Sequence, residues 1–138
     1  MRTTRIYSTQ QLGSHQAVAL EAGPSRHVAR VLRLGVGDAL TLFDGHGGEY
    51  PGAITAVDKK HVHVQTGEHL DIENESPLSI HLGIAVSRGE RMDWLVQKST
   101  ELGVTALTPL LTERTGVKLS GERALKKIQH WQQIAISA

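Results

Sequence analysis

The sequence contains no cysteine, and aromatic residues make up only 4% of it. Without thiols, disulfides and thiolate metal sites are excluded, a composition that suits a reducing, cytosolic compartment. The scarcity of aromatic residues means that any core must be built from Val, Leu, Ile and Ala. The first residues lack the apolar run of a signal peptide, and no stretch approaches the roughly 18 apolar residues of a membrane span. We therefore expect a cytoplasmic protein that does not associate with membranes.

Excess charge of one sign is also missing, because the formal net charge is +1 over 138 residues. A balance this close to neutral does not indicate a nucleic-acid-binding protein, so any such prediction depends on where the cations lie. The length suits one domain of ordinary size or two small ones.

The first half of the chain has the pattern of short strands. Residues 16–20, 38–44 and 61–65 alternate apolar and polar side chains. The glycine-rich stretch 45–48 between two such runs is typical of a hairpin turn, and Pro51 indicates an edge strand or a bend because it cannot donate to a ladder. Many short strands with one helix predict a small, partly closed β-barrel.

The one helix of this half is predicted to begin at Pro24 and Ser25 and to end at Gly35. At about 100° per residue, the apolar Val28, Val31 and Leu32 share one side. The opposite side then carries a cationic ridge of His27, Arg30 and Arg33. A ridge of this kind suits either an ordinary solvated face or a surface that contacts phosphates.

The second half follows a polar segment, residues 71–77, that we interpret as a linker. After it come an apolar run at 78–86, helical spacing that ends at Gly103, a second apolar run at 106–111, and a last helix capped by Ser120. The βαβα order predicts a parallel sheet, with both strands buried on two faces. The predicted organisation is thus a barrel at 1–70, a linker at 71–77 and an α/β domain at 78–138.

This α/β domain is short for its fold class, because a sheet usually has about five or six strands and this sequence offers a pair. We therefore expect the sequence to be a fragment of a longer protein.

Basic loops follow both strands of the second half. The loop "SRGER" carries Arg88 and Arg91, and the loop "TERTGVK" carries Arg114 and Lys118. Ligands of open α/β sheets gather at the carboxyl ends of the strands, so these cations are predicted to meet at one edge and to hold an anion. Ordinary surface loops are the alternative.

Other conspicuous residues have simpler interpretations. Lys98 and Glu101 are spaced to pair on a helix, and both Trp94 and Trp131 are expected in a core or an interface, with stacking on nucleobases as the alternative. His61 and His63 share a strand face but lack further ligands nearby, so no metal site is expected.

Several segments in a fixed order carry a family resemblance: "RIY", "HVARVLRLGVGD", "FDG", "VSRGERMDWLVQKSTELGV", "PLLTERTGVK" and "KKIQHWQQIAISA". Together they closely resemble the RsmE family, bacterial 16S rRNA (uracil-N3)-methyltransferases. The resemblance implies a PUA-like barrel in the first half and, in the second half, the first part of a SPOUT domain, an α/β methyltransferase fold with a knotted parallel sheet. It also implies S-adenosyl-L-methionine as cofactor, a uridine of 16S rRNA in the small ribosomal subunit as substrate, and a homodimer.

The glycine-rich "GPEGG"-like loop and the "LGxRxLRxET"-like segment that shape the family's cofactor pocket are absent from this sequence. The resemblance therefore gives no cofactor-binding residue here, and no catalytic residue is identified. We expect this chain to contribute rRNA binding and to be inactive alone, with a non-catalytic RNA-binding module as the alternative. The predicted RNA contacts are Arg5, His27, Arg30, Arg33, Arg88, Arg91, Arg114 and Lys118.

Overall fold

The structure, a computed structural model, describes residues 4–138 and divides into two compact units between Asn74 and Glu75. This division falls within the predicted linker, while the roles assigned to the predicted domains stay predictions. No helix in the described part of the chain is long and apolar enough to cross a bilayer.

The first unit is built on a five-stranded sheet with the strand order β1-β3-β4-β5-β2. β1 pairs with β3 in parallel, and the other neighbours are antiparallel. The strands predicted at 16–20, 38–44 and 61–65 are confirmed as β2 Ala17–Ala19, β3 Ala39–Phe43 and β5 Val62–Thr66. β1 Arg5–Tyr7, which was not predicted, and β4 Tyr50–Val57 complete the sheet. The side chains on one face of this sheet are aliphatic, as the low aromatic content requires, and ten of the unit's apolar side chains are buried in one cluster.

The edge strands β1 and β2 do not pair through backbone hydrogen bonds, and the side chain of Glu21 connects the segments that follow them. The Glu21 carboxylate, just after β2, accepts hydrogen bonds from the Thr9 N–H (2.9 Å) and the Thr9 hydroxyl (2.7 Å), just after β1. The Ser8 hydroxyl donates to the same carboxylate at 3.2 Å. Burial alone would raise the pKa of Glu21, but these hydrogen bonds outweigh it and lower the pKa. Closure of the sheet into a barrel stays a prediction.

A short helix, α1 (Ala22–Arg26), continues directly into a π-helical turn at His27–Val31. The wider turn is defined by the Leu32 N–H, which donates to the His27 carbonyl at 3.0 Å. The extra residue rotates the following side chains. Val28 is fully buried, whereas Val31 is 65% exposed and Leu32 36% exposed, so the predicted apolar side is wrong beyond Val28.

The helical segment ends at Val31, with Leu32 as its C-cap, rather than at the predicted Gly35. Arg33 has a φ of 57°, in the left-handed region that favours glycine. The Leu34 N–H then donates to the Val28 carbonyl at 3.1 Å, which satisfies a carbonyl at the helix end.

Pro51 lies in β4, which is an interior strand, so its predicted edge position is wrong. The Pro51 carbonyl accepts a hydrogen bond from the Gly67 N–H at 2.7 Å. Any other residue at position 51 could donate its N–H to the Gly67 carbonyl. Proline cannot, and that carbonyl accepts a hydrogen bond from the His15 N–H instead, at 3.2 Å. Proline is tolerated there because a third segment supplies the missing donor.

The second unit has the predicted βαβα order: β6 His81–Ala85, α2 Glu90–Glu101, β7 Ala106–Leu110 and α3 Gly121–Ser137. The strands are parallel, with His81 opposite Ala106 and Ala85 opposite Leu110. Their residues alternate between exposed and half-buried, so the prediction of strands buried on both faces is wrong for this chain. The knotted arrangement implied by the family stays a prediction.

The core of this unit is small: Val86, Met92, Val96 and Trp131 are buried. Ser120 is the N-cap of α3, but its side chain makes no capping hydrogen bond, contrary to expectation. Lys98 pairs with Glu101 at 2.7 Å, as predicted.

Candidate nucleic-acid interface

The first candidate surface is an open groove in the first unit, between α1 and the turn that joins β4 to β5. We call it the helix–turn groove. Its cationic lining comes from Arg26 and Arg30 on the helical side and from Lys59 and Lys60 on the turn. Within residues 4–138, none of these four side chains forms an ion pair with a carboxylate. An uncompensated cluster of this kind attracts a polyanion.

The one carboxylate of the groove lining is occupied by its own turn. Asp58 accepts hydrogen bonds from the backbone N–H groups of His61 (2.6 Å) and Lys60 (2.7 Å), and it contacts the His63 ring at 3.0 Å. These contacts, the His61 N–H first, hold the pKa of Asp58 well below its ordinary value. The carboxylate shapes the turn and leaves the lysines free.

Buried Ser25 fixes the two walls of the groove relative to each other. Its hydroxyl donates to the Leu20 carbonyl at 2.9 Å and accepts from the Val62 N–H at 3.0 Å. The His61 ring also contacts the Leu20 carbonyl, at 2.9 Å. Since these bonds join the helix to the end of the turn, the backbones that carry the cations are held in place before any ligand binds.

The predicted cations of the first unit have different surroundings. Arg30 lies in the groove, whereas His27 and Arg33 are exposed on the helical segment outside its lining. Arg5 contacts Glu49 at 3.0 Å and lies 4.6 Å above the Phe43 ring, so its charge is already compensated. An RNA contact at each of these four positions stays a prediction.

The second candidate surface, which we call the arginine pocket, lies in the second unit at the carboxyl ends of β6 and β7. Arg88, Arg91 and Arg114 line it together, as the strand order predicts. Lys118 is exposed and is not among the lining residues. An anion-binding role for these four residues stays a prediction.

The three arginines are not equivalent. Arg88 donates from Nε (3.1 Å) and Nη2 (2.8 Å) to the Gly116 carbonyl, so it joins the loop after β6 to the loop after β7. Arg91 and Arg114 have no such partner within residues 4–138, and their guanidinium groups are available to a ligand. Arg88 shapes the pocket, and the other two supply its free donors.

Some residues of these surfaces were not predicted from the sequence. Arg26, Lys59 and Lys60 complete the helix–turn groove, and the sequence signal for the lysines is the stretch "DKK" between two strand-like runs. Trp131 is buried as expected, but Trp94 is 64% exposed and lies outside the core of its unit, so a place in an interface stays a prediction for it. In the described part of the chain, no group of three or more His, Cys, Asp or Glu side chains is arranged to hold a metal ion.

Comparison with known proteins agrees with this organisation. Residues 74–138 match the model of a family described as an RNA methyltransferase domain, and residues 25–66 match an RNA methyltransferase PUA domain. Ribosomal RNA small subunit methyltransferase E of Buchnera aphidicola is 36% identical over 97% of this chain and 53% of its own length. The protein of the same name from Synechocystis is 37% identical over 88% of this chain and 38% of its own length.

Two solved structures are similar over 99% of this chain. A putative methyltransferase from Legionella pneumophila, in complex with the bound cofactor SAM, has a TM-score of 0.95 and 44% identity, with 57% of its chain covered. Ribosomal RNA small subunit methyltransferase E from Neisseria gonorrhoeae, bound to S-adenosyl methionine, has a TM-score of 0.92 and 40% identity, with 56% covered. The chain thus spans about half the length of these relatives, and it belongs to the ribosomal RNA small subunit methyltransferase E family.

Proposed function

We propose that this chain is the RNA-holding part of an S-adenosyl-L-methionine-dependent methyltransferase that acts on 16S rRNA of the small ribosomal subunit. The proposed reaction is methylation of N3 of a specific uridine. The observation that carries the RNA-binding role is the helix–turn groove, where Arg26, Arg30, Lys59 and Lys60 have no carboxylate partner. The family's name supports the substrate class.

The groove suits a phosphate backbone better than a small anion. It is open, and its cations come from two elements that face each other across it. Each phosphate that a Lys or Arg neutralises releases counterions, so affinity grows with the number of aligned cations. Because Ser25 holds the walls together, little ordering of the backbone is needed when RNA binds.

The arginine pocket supports a role nearer the chemistry. Removing the N3 proton of uracil places negative charge on the ring and its carbonyl oxygens, and fixed guanidinium groups stabilise such charge. Arg114 is available for this, while Arg88 holds the two loops together.

The methyl donor, S-adenosyl-L-methionine, supplies an electrophilic methyl group on a sulfonium. The arginine pocket does not fit it, because the sulfonium is cationic and three guanidinium groups line the pocket. We therefore assign no cofactor contact to the described residues. The proposed complete protein acts in the cytoplasm as a homodimer.

The test is binding of the 138-residue chain to a 16S rRNA fragment over a range of salt concentrations. Replacing Arg26, Arg30, Lys59 and Lys60 together by Ala should weaken binding and reduce the slope of log affinity against log salt by about 0.7–0.9 for each phosphate that is no longer neutralised. Lys126→Ala is the matched control, because that lysine lies on α3 and pairs with Glu122 at 3.2 Å. An unchanged slope in the fourfold variant would contradict the proposed role of the groove.

Titration of the same chain with S-adenosyl-L-methionine tests where the cofactor site lies. We expect no saturable binding by residues 1–138. Saturable binding would contradict our placement of the cofactor site outside these residues. If the complete protein binds the RNA but transfers no methyl group to it, the alternative, a non-catalytic RNA-binding module, is correct.

A further inference from the structure

We propose that Trp94 is a stacking surface for one unpaired nucleobase of the RNA, and that Arg91 holds a phosphate of the same nucleotide. The inference rests on the proposed function, which it extends by naming a contact to a base. The surface consists of Ser87, Glu90, Arg91, Trp94 and Leu95, and we call it the Trp94 shelf.

The exposure of Trp94 is not explained by the packing of its own unit. The face of α2 that points to the core carries Met92 (1% exposed) and Val96 (4%), which belong to one buried cluster with Trp131 of α3. Trp94 lies on another face of α2 and remains 64% exposed. An indole that is left out of the core beside a shallow depression is available to a ligand.

Arg91 connects the shelf to the arginine pocket, because it lines both. It precedes Trp94 by three residues on α2, so the two side chains are neighbours on the helix surface, about 5–6 Å apart at Cβ. A nucleotide whose base lies on the indole can therefore place its own phosphate against the guanidinium of Arg91.

Glu90 determines which part of the nucleotide lies on the shelf. Its carboxylate, in the first turn of α2, lines the same depression as Trp94. The carboxylate repels a phosphate, so the base rather than the backbone lies over the shelf.

The charge of the surroundings favours RNA over a protein partner. An apolar protein surface that covered Trp94 would also come close to Arg91 and the arginine pocket, and it would have to provide carboxylates for those guanidinium groups. Each nucleotide of an RNA strand supplies both partners, a flat aromatic base for the indole and a negatively charged phosphate for the guanidinium.

The experiment is fluorescence titration of the 138-residue chain with a single-stranded oligouridylate, and with the same oligonucleotide made abasic. Trp131 is buried, so quenching by the RNA reports mainly on Trp94. We expect the RNA to quench the emission, and Trp94→Leu to lower the affinity about 5- to 100-fold. Trp94→Phe should retain most of the affinity, and the abasic oligonucleotide should bind both the wild type and Trp94→Leu equally weakly.

Three outcomes would overturn the proposal. In the first, Trp94→Leu binds the oligouridylate as tightly as the wild type. In the second, affinity is unchanged and Trp94→Leu instead lowers the sedimentation coefficient of a self-associated wild type, which would make Trp94 a contact between copies of this chain. In the third, neither the wild type nor any variant binds RNA, which would remove the proposed function as well. The two tests use different variants, so their failures can be distinguished. If Trp94→Leu has no effect on oligouridylate binding while the fourfold variant of the helix–turn groove still weakens rRNA binding, this inference fails and the proposed function stands.

Discussion

The two units bury their apolar side chains to different extents. The first has ten buried apolar residues in one cluster, and the second has four. In the second unit, Trp94, Leu102, Leu111, Leu125 and Ile128 are all more than half exposed. Since burial of apolar area is the dominant favourable term in folding, the first unit should unfold at a higher denaturant concentration than the second.

The largest effect is expected at Trp131, the aromatic residue of the second unit's buried cluster. Trp131→Ala should lower the free energy of unfolding of the second unit by about 3–5 kcal/mol. Such a loss is enough to abolish cooperative unfolding of so small a core. Leu42→Ala, in the larger core of the first unit, is the matched control and should cost about 2–5 kcal/mol there. Urea denaturation followed by circular dichroism should then show a first-unit transition that survives in Trp131→Ala. A single transition that shifts equally in both variants would contradict two separately stable units.

A smaller effect is expected at Asp93, which joins α2 to α3. Its carboxylate contacts the His130 ring at 3.0 Å and accepts from the Trp131 indole N–H at 3.1 Å. The hydrogen bond with His130 is the largest cause of the lowered pKa of Asp93, whose ordinary value is 3.8. A lowered carboxyl pKa in the folded state stabilises above the unfolded pKa, and this contribution is lost as pH falls through the folded pKa.

Asp93→Asn should therefore destabilise the second unit by about 1 kcal/mol at neutral pH, a modest figure because the site is partly exposed. Below about pH 3.8 the difference between variant and wild type should shrink. The measurement is the urea midpoint of the second unit at a series of pH values. A difference that does not depend on pH would show that the ionised carboxylate does not provide the stabilisation.

Substitution of Arg33 should make the first unit more stable. Its φ of 57° is costly for a residue with a side chain, so Arg33→Gly should raise the stability of the first unit by about 1 kcal/mol. Arg33→Ala removes the same charge but keeps the strained backbone, so it should give no such gain. Thermal denaturation distinguishes the two variants. If both variants stabilise equally, charge rather than backbone conformation is responsible.

The smallest effect is expected at the exposed pair Lys98 and Glu101. Lys98→Ala should change the stability of the second unit by less than about 0.5 kcal/mol, because exposed ion pairs are weak. A larger drop in the urea midpoint would mean that surface charges, and not the small core, limit this unit.

Local patterning was sufficient to predict most of the secondary structure. Alternation and helical spacing predicted the strands near Val18, Leu42 and Val64 and the helices around Val96 and Trp131. The convergence of Arg88, Arg91 and Arg114 also followed, because parallel strands present their carboxyl ends at one edge.

The remaining features depend on contacts between distant segments. The interior position of Pro51 requires a donor from His15, and no local pattern predicts it. Lys59 and Lys60 belong to the helix–turn groove only because Ser25 brings the helix to their turn. The exposure of Trp94 depends on how few partners α2 has in this chain, whereas helical spacing reports only which residues share a face.

The π-helical turn at His27–Val31 has a consequence for how the cationic surface can vary. Val28 on one side and Leu34 on the other are both packed on the core. Loss of one residue between them would convert the turn to ordinary α-helix while both apolar anchors kept their places. The side chains within the turn, Arg30 among them, would then point in new directions. Insertion or deletion of a single residue here would thus change the direction of the cationic side chains without disturbing the core.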